Sequence, residues 1–144
     1  MIRGVVTLAV AGLVLSACGT VSLSRAMTSW ATQSSYLSNS NIVLTDARHA
    51  ATALHSAGSS TAQLHTVCAV LLVDVGYANA SLPTPDGQAT TLLSKAYTDL
   101  AAGANECYKA QSDVFIRTRA LTWLASGAFS LSEASARIAT ASRP

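Results

Sequence analysis

Residues 60–82 read STAQLHTVCAVLLVDVGYANASL, from Ser60 to Leu82. The centre of this stretch, Cys68-Ala69-Val70-Leu71-Leu72-Val73, has the composition of a buried strand. The wider frame decides against that. Leu64, Cys68, Leu71, Val75, Ala78 and Leu82 recur at alternating spacings of four and three, which puts them on one stripe of an α-helix. The run from Ser60 to Ser81 is also far longer than a typical strand of about five or six residues. Ser60 or Thr61 supplies an N-cap, and Val67, Val70, Leu72 and Val73 widen the apolar face.

The same reading extends to both sides. Leu82-Pro83-Thr84-Pro85-Asp86-Gly87 is a turn, with Thr84 as N-cap and Pro85 at the first helical position, where its missing N–H costs nothing. The next helix is expected to run to about Ala110 on a seam of Ala89, Leu93, Ala96, Leu100, Gly103, Cys107 and Ala110. Ser112-Asp113 restarts the chain, and Val114, Leu121, Leu124, Ala128, Leu131 and Ile138 share one face of a last helix. Gly127 lies inside that pattern, where it kinks the helix or admits close packing. Upstream, Leu44, Ala47, Ala51 and Leu54 mark a helix from about Asn41 to Ala57, stopped by Gly58. The expected fold is all-α, an antiparallel bundle of about four helices over residues 41–144.

The N-terminus reads as an address. Met1-Ile2-Arg3 carries one positive charge, Gly4 to Val14 is apolar, and Leu15-Ser16-Ala17-Cys18 follows. This is the pattern of a secretory signal peptide, and the apolar run falls short of the ~20 residues that span a bilayer. Leu15-Ser16-Ala17-Cys18 resembles the lipobox of bacterial lipoproteins. That resemblance implies removal of residues 1–17, lipid on Cys18 and an extracytoplasmic, membrane-anchored location. A diacylglyceryl group supplies the two chains that stable attachment needs. Residues 18–40 are Ser- and Thr-rich and read as a tether with one marginal helix on Leu23, Met27, Trp30 and Leu37, weakened by Ser34-Ser35 and Ser38-Asn39-Ser40-Asn41.

With Cys18 lipidated, Cys68 and Cys107 remain in an oxidising compartment, where a disulfide is expected. The alternative is a pair of free thiols in the core. One conflict stands in the spacing. Cys68 lies 13 residues before Ser81 and Cys107 lies 21 after Asp86. That offset is ~12 Å along straight helices, beyond the reach of a disulfide. A late start to the third helix, an overhanging turn or a kink near Gly103 would each remove it.

Composition narrows the function. Ala, Ser and Thr number 27, 19 and 15 of 144 residues, and charged residues are only 11%. The formal charge of +2 gives no basic face for nucleic acid and little steering of any partner. There is no Gly-rich phosphate loop, HExxH, G-x-S-x-G, S-x-x-K or CxxC. Asp46, Asp74, Asp86, Asp99, Glu106, Asp113 and Glu133 are scattered. Asp86 and Asp113 read as first-turn acids, Glu106 and Lys109 as a surface pair, and Asp74 as an edge position reaching solvent or a tyrosine hydroxyl. Asp46 with His49, or His55 with His65 across the Gly58 turn, would be half of a metal site, but solvated polar positions account for them, so no metal or other cofactor is expected. Phe115, Arg119 and Trp123 lie four apart, off the main seam of the last helix, and form a candidate interaction surface.

Asp46-Ala47, Cys68, Leu82-Pro83-x-Pro85-Asp86, Cys107 and Gly127-x-x-x-Leu131 together are similar to a group of small actinobacterial secreted or lipoprotein helical proteins of uncharacterised function. The similarity covers about residues 41–141. It implies a helical fold and brings no activity with it. The expected function is a non-enzymatic, membrane-tethered helical module that contacts an unidentified envelope protein. The alternative is a binder of a small apolar ligand or lipid between its helices, since alanine-rich helices either leave such space or close tightly.

Overall fold

The structure, a computed structural model, describes residues 21–144. The signal segment 1–17 and Cys18 lie outside the described residues. Among those described, the chain forms five helices and no strands: α1 Leu23–Gln33, α2 Tyr36–His55, α3 Thr61–Asn79, α4 Gly87–Lys109 and α5 Val114–Ala141. Ser60 caps α3 as expected, accepting from Gln63 N, whereas at α5 Asp113 is itself the cap and not a first-turn acid, accepting from Phe115 and Ile116 N. At α4 the cap is Asp86, not Thr84. The Asp86 carboxylate accepts from Ala89 N at 2.7 Å, while the Thr84 hydroxyl donates to the Asp86 carbonyl.

The helix count and the domain boundary both differ from expectation. Residues 23–40 are not a tether: Met27, Tyr36 and Ser40 are buried. The stripe of Leu23, Met27, Trp30 and Leu37 does not hold either, because Ser35, at φ 51°, turns the chain between α1 and α2. Tyr36 goes inward and Leu37 outward. Burial of Met27 and Tyr36 outweighs the weak helix propensity of the serines and asparagines. Trp30 packs its ring 5.4 Å from that of Tyr36 and donates from Nε1 to the Ser81 carbonyl. Ser24 Oγ donates to the Ser142 carbonyl. These contacts fasten α1 across the end of the bundle where α3 and α5 finish.

Helices α2 to α5 pack in sequence, α2 on α3, α3 on α4 and α4 on α5. A disulfide joins Cys68 and Cys107, with Cα atoms 5.9 Å apart. Its loop would contribute ~4 kcal/mol on the chain-entropy account. The spacing conflict is resolved by the turn. Helix α3 stops at Asn79 and α4 starts at Gly87, so residues 80–86 carry the chain ~14 Å past the end of α3 before α4 begins.

The α4–α5 contact is by far the most extensive. Two Leu-x-x-Gly segments, Leu100–Gly103 and Leu124–Gly127, lie antiparallel, and each leucine covers the other's glycine. A Cβ on Gly103 would fall 2.7 Å from Leu124 Cδ2, and one on Gly127 would fall 2.6 Å from Leu100 Cγ and 2.9 Å from the Ala96 carbonyl. Gly127 therefore serves close packing. The α4 seam is buried at every expected position, from Ala89 to Ala110. The α5 seam matches the expected one at Leu124, Leu131 and Ile138 but not at Val114, Leu121 and Ala128. It runs Ala120, Leu124, Gly127, Leu131, Ala134 and Ile138, while Val114 is exposed and Leu121 and Ala128 are half-buried on the neighbouring stripe. The close approach selects small residues on the inner stripe of α5. On α3 the Leu64 to Ala78 stripe is buried, but Val70, Leu72 and Val73 face outward. By length and composition α3 could cross a membrane.

The glycines separate by their surroundings. Gly127→Ala should destabilise by ~1–3 kcal/mol, and by more than Gly103→Ala, because two backbone atoms at 2.9 Å oppose it, against one at 3.0 Å for Gly103. Gly76→Ala, with nothing within 4 Å, should stabilise by ~0.5–1 kcal/mol through helix propensity. Urea unfolding of the three variants checks this order.

Candidate functional site: a trough between α2 and α5

Helices α2 and α5 close the ring less tightly than the other neighbours. They run antiparallel and are pinned near both ends. At one end the Tyr36 hydroxyl and Ser135 Oγ share a hydrogen bond of 2.8 Å. At the other, Arg117 Nη1 donates to the carbonyls of Leu54 and Ser56 at 2.9 and 3.0 Å, and its Nε donates to the Gln111 carbonyl. The guanidinium thus satisfies carbonyls that the end of α2 leaves without helical partners. Both pins fit one register, which brings Ala47 level with Leu124 and Ala51 level with Ala120.

Between the pins the facing residues are too small to fill the gap. A trough of about 600 Å³ remains, walled by Leu44, Ala47, Ala51, Leu121, Ala125 and Ala128. Arg48 and His55 stand on the α2 side. At the Arg117 end lies a second, polar hollow, also of about 600 Å³, with Ser59, Ser60, Thr61, Arg117 and Thr118 among its walls. Sequence periodicity placed Leu121 in the core. The signal for the trough was the run of alanines on facing stripes of two helices, which becomes readable only once the pairing is known.

The acids are mostly engaged in holding helices. Arg137 of α5 grips Asp86 through Nε–Oδ1 at 3.0 Å and Nη2–Oδ2 at 2.5 Å. Those hydrogen bonds and the one from Ala89 N lower the Asp86 carboxyl from its ordinary 3.8 to about 2. Asp99 is buried, which pushes its carboxyl up, but hydrogen bonds from Lys95 and Ser126 outweigh this and hold it below the usual range. Glu106 pairs with Arg119 across the helices rather than with Lys109. Asp74, half-buried, has the Asp46 carboxyl as its neighbour rather than a tyrosine. Burial, and then the nearby Asp74, raise Asp46, while His49 at 3.8 Å acts the other way.

The other singled-out residues are dispersed. His65 stacks on Tyr108 with ring centroids 4.1 Å apart, whereas His55 lines the trough. No group of three or more His, Cys, Asp or Glu is placed to hold a metal among the described residues. Phe115, Arg119 and Trp123 do form an exposed strip, with Phe115 72% and Trp123 40% accessible. The Arg119 guanidinium lies 5.6 Å from the Phe115 ring centroid while it pairs with Glu106. Comparison with protein-family models, with curated proteins and with solved structures finds no match to this chain.

The carboxyls give opposite pH dependences. Asp86, lowered in the fold, contributes stability that is present above its ordinary 3.8 and lost as pH falls toward about 2. Asp46, raised in the fold, weakens the protein above its raised value. Asp86→Asn keeps a good N-cap and should be less stable than wild type at pH 7, with the gap closing by about pH 2. Asp46→Asn should be more stable at pH 7 and lose that advantage in acid. Chemical denaturation at both pH values distinguishes the two.

Proposed function

We propose that this chain is an envelope lipoprotein, held by lipid on Cys18, whose helical domain is a non-enzymatic binding module. The observation that carries the binding reading is the apolar trough between α2 and α5, pinned at both ends and walled by alanine and leucine. Its volume lies within the ~300–1,000 Å³ usual for small-molecule sites. The ligand is then a small apolar molecule or a lipid held between the helices. The non-enzymatic reading is supported by Asp86 and Glu106, whose carboxylates are committed to arginines of α5, and by Asp99, which is held by Lys95 of its own helix and Ser126 of α5.

The anchor rests on Leu15-Ser16-Ala17-Cys18 behind a short apolar run, and the family resemblance rests on the motifs around Asp46, Cys68, Pro83, Cys107 and Gly127. A second reading, contact with an envelope protein, is favoured by the exposed strip of Phe115, Arg119 and Trp123. Aromatic side chains and arginine dominate interface energetics.

Cys18→Ala should move the protein out of the detergent phase or leave it unprocessed. Unchanged partitioning refutes the anchor. Trp123→Ala should lower stability by no more than about 1 kcal/mol, in contrast to ~3–5 kcal/mol for a fully buried aromatic. It should also reduce crosslinking to an envelope partner, and intact crosslinking would remove the strip from the interface.

A further inference from the structure

The trough and the polar hollow adjoin, with His55 and Leu121 in the walls of both. The two differ in chemistry. Along α2 the trough runs from Leu44 to His55, about 16 Å at 1.5 Å per residue, and its walls are mainly methyl and isobutyl groups, with Arg48, His55 and Ser132 as the polar members. The hollow offers hydroxyls, one guanidinium and the start of α3, whose first-turn N–H groups favour negative charge.

The charges in their walls are all of one sign. Arg48 lines the trough and Arg117 the hollow, and no carboxylate lines either. Neither arginine makes an ion pair among the described residues, although Asp86, Asp99 and Glu106 each have a cationic partner. Arg117 uses Nε and Nη1 on backbone carbonyls, which leaves Nη2 and the whole positive charge without an anion. Ser59, also in the wall of the hollow, has a buried Oγ with no hydrogen-bond partner. Buried hydroxyls are normally satisfied.

The geometry points to a single-chain anionic amphiphile, a long-chain fatty acid, with its acyl chain in the trough and its carboxylate in the hollow beside Arg117 and the first turn of α3. The inference rests on the reading of the trough as a ligand site and adds the chemical class of the ligand. A mainly apolar trough of this length suits one extended chain. A hollow whose arginine lacks a counter-ion suits a carboxylate, and a neutral alcohol of the same length would leave that charge unanswered.

The test uses the full chain in phosphatidylcholine vesicles with photoreactive palmitate and, in parallel, the photoreactive alcohol of the same length. Palmitate should label peptides covering residues 44–55 and 121–132, and untagged palmitate should compete. Ala125→Trp places a bulky ring in the trough from an exposed position and should cut labelling by about tenfold or more. Ser60→Asp retains a good N-cap while adding negative charge to the hollow. It should weaken palmitate by about tenfold and leave the alcohol unchanged. Thermal unfolding of both variants verifies that they fold. Trough labelling that is equal for acid and alcohol and insensitive to Ser60→Asp overturns the anionic ligand but keeps the ligand site. Labelling that is confined to the outward Val70–Val73–Tyr77 face of α3, or that survives Ala125→Trp in a folded protein, overturns both.

Discussion

The close approach of α4 to α5 is the constraint from which the rest of the architecture follows. Leu100 over Gly127 and Leu124 over Gly103 leave no room for a Cβ at either glycine. This interlock sets both the separation and the axial register of the two longest helices. Given that register, Asp86 meets Arg137, Asp99 meets Ser126 and Glu106 meets Arg119. These polar contacts do not draw the helices together so much as specify which turn lies beside which. A surface pair of this kind is worth little, but a half-buried carboxylate that loses its partner is costly.

The interlock also explains why there is a trough. Helix α5 turns its small inner stripe to α4 and has only the neighbouring stripe left for α2. That stripe, like the facing one on α2, is rich in alanine. Two alanine-rich faces would normally close until they touch. Here Tyr36–Ser135 and Arg117–Leu54/Ser56 hold them apart at the ends. The gap between is therefore a product of side-chain length at the pins and side-chain shortness between them. A trough made in this way is held open by the fold itself.

The disulfide and α1 act at opposite ends of the bundle. Cys68–Cys107 ties the early part of α3 to the late part of α4. Helix α1 covers the other end, where the turn after α3 overhangs, and Trp30 meets that turn directly at Ser81. The bundle is thus closed at one end by a covalent bond and at the other by an additional helix that buries Met27 completely.

Local pattern alone determined much of this protein. The four-three spacing identified α3 and α4 with their buried stripes, Ser60 and Asp113 announced two helix starts, and the cysteine count paired Cys68 with Cys107. Those features depend on residues near in sequence, or on a count, so they are legible without coordinates. Tertiary structure decided the remainder. Helix α1 and the first turn of α2 are interrupted by weak helix formers, Ser, Thr and Asn, and are stabilised by packing. The inner stripe of α5 was chosen by the glycine interlock over an equally periodic neighbour containing Leu121. The trough and its cations arise from residues more than 60 positions apart, such as Arg117 and Leu54. Periodicity reports which residues share a face, but only the packed bundle determines what that face meets, because an alanine stripe reads the same whether it closes on a neighbour or is held away from one.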